Sequence, residues 1–262
     1  MTPLSQCPRA VLAGIKGVLT DIDETVSTGG KLTADAFAAL EALKKAGLLV
    51  IPVTGRPAGW CDHIARFWPV DAVVGENGAF WMWVDGKLRT RFVQSDAARA
   101  DGRRRLEAVR EEVARAVPGA GIASDQPYRV ADLAVDFRED VPPLPQADID
   151  RIVAIFEKHG AYAKVSSIHV NGWFGDYDKL TTTKAMMREL FEVDLDAERD
   201  RYVFAGDSPN DQPMFGYFPN AVGVANVRDF TLQTPPAWIT SGRSGAGFVE
   251  LANALIKAKR MS

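Results

Sequence analysis

The pattern that most constrains this chain is a short apolar run that recurs with a helix between its copies. "GVLTD" at Gly17 to Asp21 and "LLVIPV" at Leu48 to Val53 flank a segment in which Thr33 can cap a helix, Phe37, Leu40 and Leu43 share a face, and Gly47 ends it. Two short apolar strands separated by a helix form a βαβ unit, which crosses over right-handed into a parallel sheet. A helix starting near Pro57 and a third strand, "DAVVG", continue the rhythm. It resumes from about Leu180 with "KAMMRELF", "RYVFAG", "AVGVAN" and "FVELANALIKA". The fold class expected is α/β: a Rossmann-like parallel sheet with helices on both faces.

The texture changes between those two stretches. Asp85-Gly86 separates two strand-like runs, the strongest hairpin signal in the chain. A long charged helix (about 97–117), "RVADLAVDF", a proline-rich loop, a helix near 148–159 and "YAKVSSIHVN" follow. This mixture predicts an inserted α+β cap domain over 85–179, with 1–84 and 180–262 forming the core.

A chain of 262 residues, 47% of them hydrophobic, can bury a core and divide in two. A formal charge of -3 gives no general attraction to nucleic acid or acidic membranes, so any anion must be bound by a local site. The basic block from Arg103 to Arg110 reads as the solvated side of a helix. Two cysteines are too few for a disulfide framework, and "WCDH" at 60–63 has no neighbours to complete a metal set. No run approaches the ~18 apolar residues of a membrane span, and no targeting segment is recognisable. The expectation is a cytoplasmic protein, monomer or homodimer, with no nucleic-acid or membrane partner.

In a parallel α/β sheet, ligands sit beyond the carboxyl ends of the strands, and three polar clusters fall there. In "TDIDET", Asp21 and Asp23 are two apart on an extended chain and project together. Carboxylates so close repel unless they share a proton or a cation, and a hard divalent ion such as Mg²⁺ meets that need. In "VTGRP", a hydroxyl at Thr54, a glycine at Gly55 and a following helix N-terminus make a small anion cradle. In "VFAGDSPND", a buried strand delivers Asp207, Ser208, Asn210 and Asp211. Each string alone is also what an ordinary turn or helix cap looks like. Three at successive strand ends are harder to dismiss.

Together, "DIDET", "VTGRP", a lysine near 180 and "GDSPND" resemble the four motifs of the haloacid dehalogenase superfamily, in order. The insertion between the second and third, and "GENGA" at 75–79, resemble the Cof-like and sucrose-phosphate-phosphatase-like branch with its large α/β cap. The resemblance implies a Mg²⁺-dependent phosphatase acting on a small phosphate ester, with a sugar phosphate the favoured substrate. Asp21 would be the nucleophile forming an aspartyl-phosphate, and Asp23 the general acid and base. Mg²⁺ would be held by Asp21, the Asp23 backbone and Asp207. Thr54, Gly55, Lys179 and Asn210 would bind phosphate, with Asp211, Lys184 and Arg56 as supporting or alternate members. Lys179 is preferred to Lys184 because a helix counted from it buries Met186 and Leu190, whereas a start at Lys184 would bury Arg188. A phosphomutase using the same acids and a non-catalytic sugar-phosphate binder remain alternatives.

Cap residues near the return to the core, His169, Asn171, Trp173 and Asp176, suit either sugar contact or packing. Glu24 stands where relatives carry glycine. It is expected to hold an ordinary negative φ and point away from phosphate, while the Thr25 hydroxyl ties down the turn.

Overall fold

The computed structural model describes residues 1–260. Six parallel strands form the core sheet in the spatial order Thr2–Pro3, Trp238–Ile239, Val222–Gly223, Tyr202–Gly206, Gly17–Thr20 and Leu49–Pro52. The pleat divides each strand between two cores. Val18, Val50 and Val203 face the helices Ala34–Lys45 and Ser244–Arg260, where Leu40, Leu43, Leu251 and Leu255 are buried. Leu19, Ile51 and Phe204 face the other way, against Met186 and Met187 of the helix Lys179–Phe191 and Met214 and Phe215 of Gln212–Tyr217. Period-2 strands covered on both faces account for the continuous apolar runs.

One helix face differs from its sequence reading. Thr33 caps Ala34–Lys45 through the Ala36 N–H, but the buried residues are Ala36, Ala39, Leu40 and Leu43, and Phe37 stays exposed. In the first turn of the neighbouring helix, Gly245 has an ideal Cβ position 3.6 Å from Ala36 Cβ, so the contact is built from small residues and the phenyl ring is turned outward.

Beyond Leu49–Pro52 the sheet continues loosely. Val53 bridges Val74 in parallel, and Val73–Gly75 carries the antiparallel hairpin Phe80–Asp85 and Lys87–Phe92, turned by Gly86 at φ 65°. The next unit has its own antiparallel sheet, ordered Gly121–Ile122, Asp132–Asp136, His169–Trp173, Tyr162–Val165. The helices Asp96–Ala116 and Gln146–Lys158 close a separate core around Leu106, Val109, Val113, Ile152 and Phe156. "YAKVSSIHVN" is two strands, because the Ser166 hydroxyl accepts the Ile168 and His169 N–H groups and turns the chain between them.

The Arg103–Arg110 block lies on the helix Asp96–Ala116 with Leu106 and Val109 inward and Arg104 paired with Asp101, a solvated face. Cys7 and Cys61 are buried free thiols, and His63 stacks on Phe67. Among the described residues the one acid, cysteine or histidine cluster fit for a metal is Asp21, Asp207 and Asp211, and no helix is long and apolar enough to cross a membrane.

Candidate active site

The adjacent strands Gly17–Thr20 and Tyr202–Gly206 end side by side, with Thr20 opposite Ala205. Asp21 and Asp207 therefore leave the sheet together, and Asp211 follows on the next turn. That turn closes tightly. The Asp211 carboxylate accepts the Asp207 N–H at 3.1 Å, and a Cβ at residue 206 would lie 2.4 Å from it, so only glycine fits.

Lys179 completes the group. It is the first residue of its helix, which Asp178 caps through the Thr181 N–H while the Thr182 hydroxyl donates to the Gly78 carbonyl. This start aims Nζ at Asp21 Oδ1, 2.7 Å away, and Asp211 Oδ1, 2.8 Å away. Burial pulls the Lys179 ammonium down, but the two carboxylates more than reverse that and hold it above its ordinary value. Lys184 lies one and a half turns on, at the surface, paired with Asp196 at 2.7 Å. Met186 is fully buried, Leu190 partly so, and Arg188 is exposed.

Burial, offset in part by Lys179, pushes the Asp21 carboxyl up to about 7, and burial together with Asp21 and Asp211 raises Asp207 well above the usual carboxylate range. Asp207 Oδ2 accepts the Asn226 amide at 3.0 Å, whereas Oδ1 is buried with no hydrogen-bond partner. Both Asp211 oxygens are engaged, one by Lys179 and the other by backbone N–H groups. An orphaned carboxylate oxygen beside a second raised acid is the donor set of a divalent cation, so the residues present fit Mg²⁺.

Asp23, Gly55, Ser208 and Asn210 line a narrow cleft over Asp21 together with Ser166–His169 of the inserted unit. Thr54 is buried and its Oγ1 accepts the Arg56 N–H at 3.0 Å. Asn210 Oδ1 accepts the Ser208 hydroxyl. Next to the cleft, a cavity of about 440 Å³ opens past Asp23 and Asp207 toward Arg138, Ser167, Phe230 and Arg243.

The architecture is shared with solved structures. The C-terminal domain of Candida albicans trehalose-6-phosphate phosphatase superposes with a TM-score of 0.74 at 13% identity, covering 98% of each chain. The chain has the fold of the haloacid dehalogenase-like hydrolases. A hydrolase of that description from Bacteroides thetaiotaomicron matches at TM-score 0.62 and 13% identity over 91% of this chain and 98% of its own. The Synechocystis sucrose-phosphatase, solved with sucrose and phosphate, matches at 0.63 and 14% over 92% and 98%. No protein-family model and no curated protein matches the sequence.

On this haloacid dehalogenase-like fold, several side chains differ from their expected settings. Glu24 has a φ of 53°, in the left-handed region, contrary to the expected negative value. Three tethers offset a cost of roughly 1–2 kcal/mol for that conformation: its N–H donates to Ser27 Oγ, and its carboxylate accepts the Ser244 hydroxyl at 2.9 Å and the Gly30 N–H. The carboxylate accordingly lies on Ser244 and not among the Asp21, Asp207 and Asp211 oxygens. The Thr25 hydroxyl does not tie the turn; it is buried without a partner, and Ser27 takes that part. Trp173, 1% exposed, stacks on Tyr177, and Asp176 lies outside the cleft.

Sequence reasoning missed the charged roof of the cleft. Arg56, a supporting residue by its motif, sends its guanidinium to Asp23, Asp125 and Glu139. Arg129 donates to the Gly55 carbonyl and to Asp125 and Asp132. Glu76 accepts N–H groups from Ala58 on one side and Val130, Ala131 and Asp132 on the other, fastening the inserted unit to the core. Arg129 meets Asp125 and Asp132 locally, but Arg56 lies 83 residues from Glu139, Arg129 74 from Gly55 and Glu76 54 from Val130, and no local pattern announces those contacts.

Proposed function

We propose that the chain is a Mg²⁺-dependent phosphatase of a small phosphorylated metabolite, with a sugar phosphate as the preferred class. The observation that carries this reading is the convergence of Asp21, Lys179, Asp207 and Asp211 under a cleft lined by Thr54's neighbours Gly55 and Arg56 and by Asn210. Two of the solved structures described above, phosphatases of disaccharide phosphates by name, support the substrate class.

Asp21 Oδ2, free of protein partners among the described residues, is the attacking atom, and Lys179 fixes the other oxygen. As the Asp21–phosphorus bond forms, the bond to the leaving oxygen breaks, and Asp23 supplies the proton that oxygen needs. Water then attacks the aspartyl-phosphate, Asp23 takes its proton, and inorganic phosphate leaves. The Gly55 amide, the Thr54 hydroxyl, Asn210 and the Lys179 ammonium hold the phosphoryl oxygens as charge spreads over them. Asp21, Asp207 and the Asp23 carbonyl are the residues that would hold Mg²⁺, which when bound offsets carboxylate charge facing an anionic substrate. Domain 85–179 acts as the cap that selects the alcohol, since the core residues address only phosphate.

The test is a panel of phosphorylated metabolites assayed with Mg²⁺ for phosphate release and ranked by kcat/KM. Release that vanishes with chelator and in Asp21→Asn supports the reading. Isomerised sugar phosphate without release would favour a mutase, and no turnover of any ester would leave a binding protein.

A further inference from the structure

The mechanism above asks Asp23 to deliver a proton along one direction, and what fixes that direction is not on its own loop. Arg56 grips the Asp23 carboxylate with two nitrogens, Nε at 2.9 Å from Oδ1 and 3.0 Å from Oδ2, and Nη2 at 2.8 Å from Oδ1. The fork is rigid and planar, so whatever orients its outer edge orients Asp23. On that edge, Nη2 also donates to Glu139 Oε1 at 2.9 Å, and Nη1 reaches Asp125 Oδ2 at 3.3 Å. Asp125 is already engaged twice by Arg129. Glu139 is the stronger hold.

Glu139 is itself held. It sits on the turn after the strand Asp132–Asp136, and the buried Asp136 carboxylate accepts the N–H groups of Arg138, Glu139 and Asp140 at 2.7–2.8 Å. His169 Nε2 lies 2.9 Å from Glu139 Oε2 without the alignment of a hydrogen bond, and the nearby His169 ring and then the Arg56 guanidinium hold the Glu139 carboxyl down at about 2. A backbone wound around one buried acid thus presents a second acid to the core. We propose that Glu139 is a positioning residue that aims Asp23 through the Arg56 guanidinium, so that the inserted unit supplies part of the proton-transfer geometry and not only the substrate pocket.

This inference rests on the phosphatase reading, and its test separates the two. Protonation matters for a poor leaving group and little for a good one. Wild type, Glu139→Gln, Arg56→Lys and the double variant, each with Mg²⁺, are compared on p-nitrophenyl phosphate and on the alkyl phosphate that wild type turns over fastest. Glu139→Gln is expected to lower kcat/KM on the alkyl ester about 10- to 100-fold, and on the aryl ester less than about threefold, because kcat/KM reports the phosphorylation step and not the later hydrolysis in which Asp23 serves both esters alike. Arg56→Lys keeps the charge and loses the fork, so it gives the same split, and the double variant loses no more than Arg56→Lys alone.

Equal losses of kcat/KM on both esters, or losses that add in the double variant, overturn the inference while the phosphatase reading stands. Wild type inactive on every ester overturns both. The Glu139 side chain is 28% exposed, so its amide variant keeps the fold; should it not, absence of the split in Arg56→Lys still overturns the proposal.

Discussion

Asp21, Asp207 and Lys179 reach the cleft from two strand ends and a helix start that lie side by side in the core, whereas Asp125, Arg129 and Glu139 reach it from turns of the inserted unit. The first group, the floor, leaves valences open: a buried Asp207 oxygen with nothing to bind and an Asp21 carboxyl pushed up to about 7. In the second group, the roof, each charged group is engaged by another charge or a backbone dipole. Unpaired polar atoms in a buried place mark where a ligand is awaited, and saturated ones mark where shape is maintained. In the proposed mechanism, the difference places bond making on the floor and alignment on the roof.

Removing the attacking oxygen should break this contrast most severely. Asp21→Asn is expected to lower kcat by more than about 10³-fold with little loss of stability, and chelation of Mg²⁺ should do the same; phosphate release from the best ester measures both. Lys179→Ala comes next. It should cost about 10²-fold in turnover and, by leaving Asp21 and Asp211 uncompensated, about 3–5 kcal/mol in denaturant unfolding. Lys184→Ala should stay within about twofold of wild type on the same assay, because its partner Asp196 is a surface residue.

On the roof the order of effects reverses. Arg129→Leu strips a buried cation from Asp125 and Asp132, so it should destabilise by about 3–5 kcal/mol while lowering kcat less than any floor variant. A roof variant as inactive as Asp21→Asn yet fully stable would erase the distinction. Acid titration probes it more gently. Because the folded protein holds Glu139 at about 2 against an ordinary 4.5, the stability this acid contributes is present above about pH 4.5 and is lost as pH falls toward 2. Thermal midpoints of Glu139→Gln should therefore fall less steeply across that interval than those of wild type. Smallest of all, Glu24→Gly should shift unfolding by less than about 1 kcal/mol, since relief of the positive φ is offset by loss of the Ser244 tether.

What the sequence disclosed follows the same line. Periodicity and strand-end acids are local properties, so the parallel core and the hairpin at Gly86 could be read from spacing, while the joining of Asp21 with Asp207 followed from the motif resemblance. Lys179 and Lys184 could be told apart because a helix has a buried face, and Met186 occupies it only for one choice of start. Arg56 to Glu139 spans 83 residues and Glu76 to Asp132 spans 56, separations set by how two folded units meet. Glu24 misled for another reason. Its left-handed backbone is stabilised by Ser244, 220 residues away, and no neighbour in sequence reports that.

That last tether has a consequence for what holds the loop in place. Asn226 donates to the Glu24 carbonyl and to Asp207, and accepts from the Ser244 N–H, while the Ser244 hydroxyl and the Gly245 N–H reach Glu24 and Thr28. The loop that follows Asp21 is thus clamped by the start of the helix Ser244–Arg260. The same helix fills one face of the sheet with Phe248, Leu251 and Leu255, so a substitution that loosens its packing would also release the setting of Asp21 and Asp207.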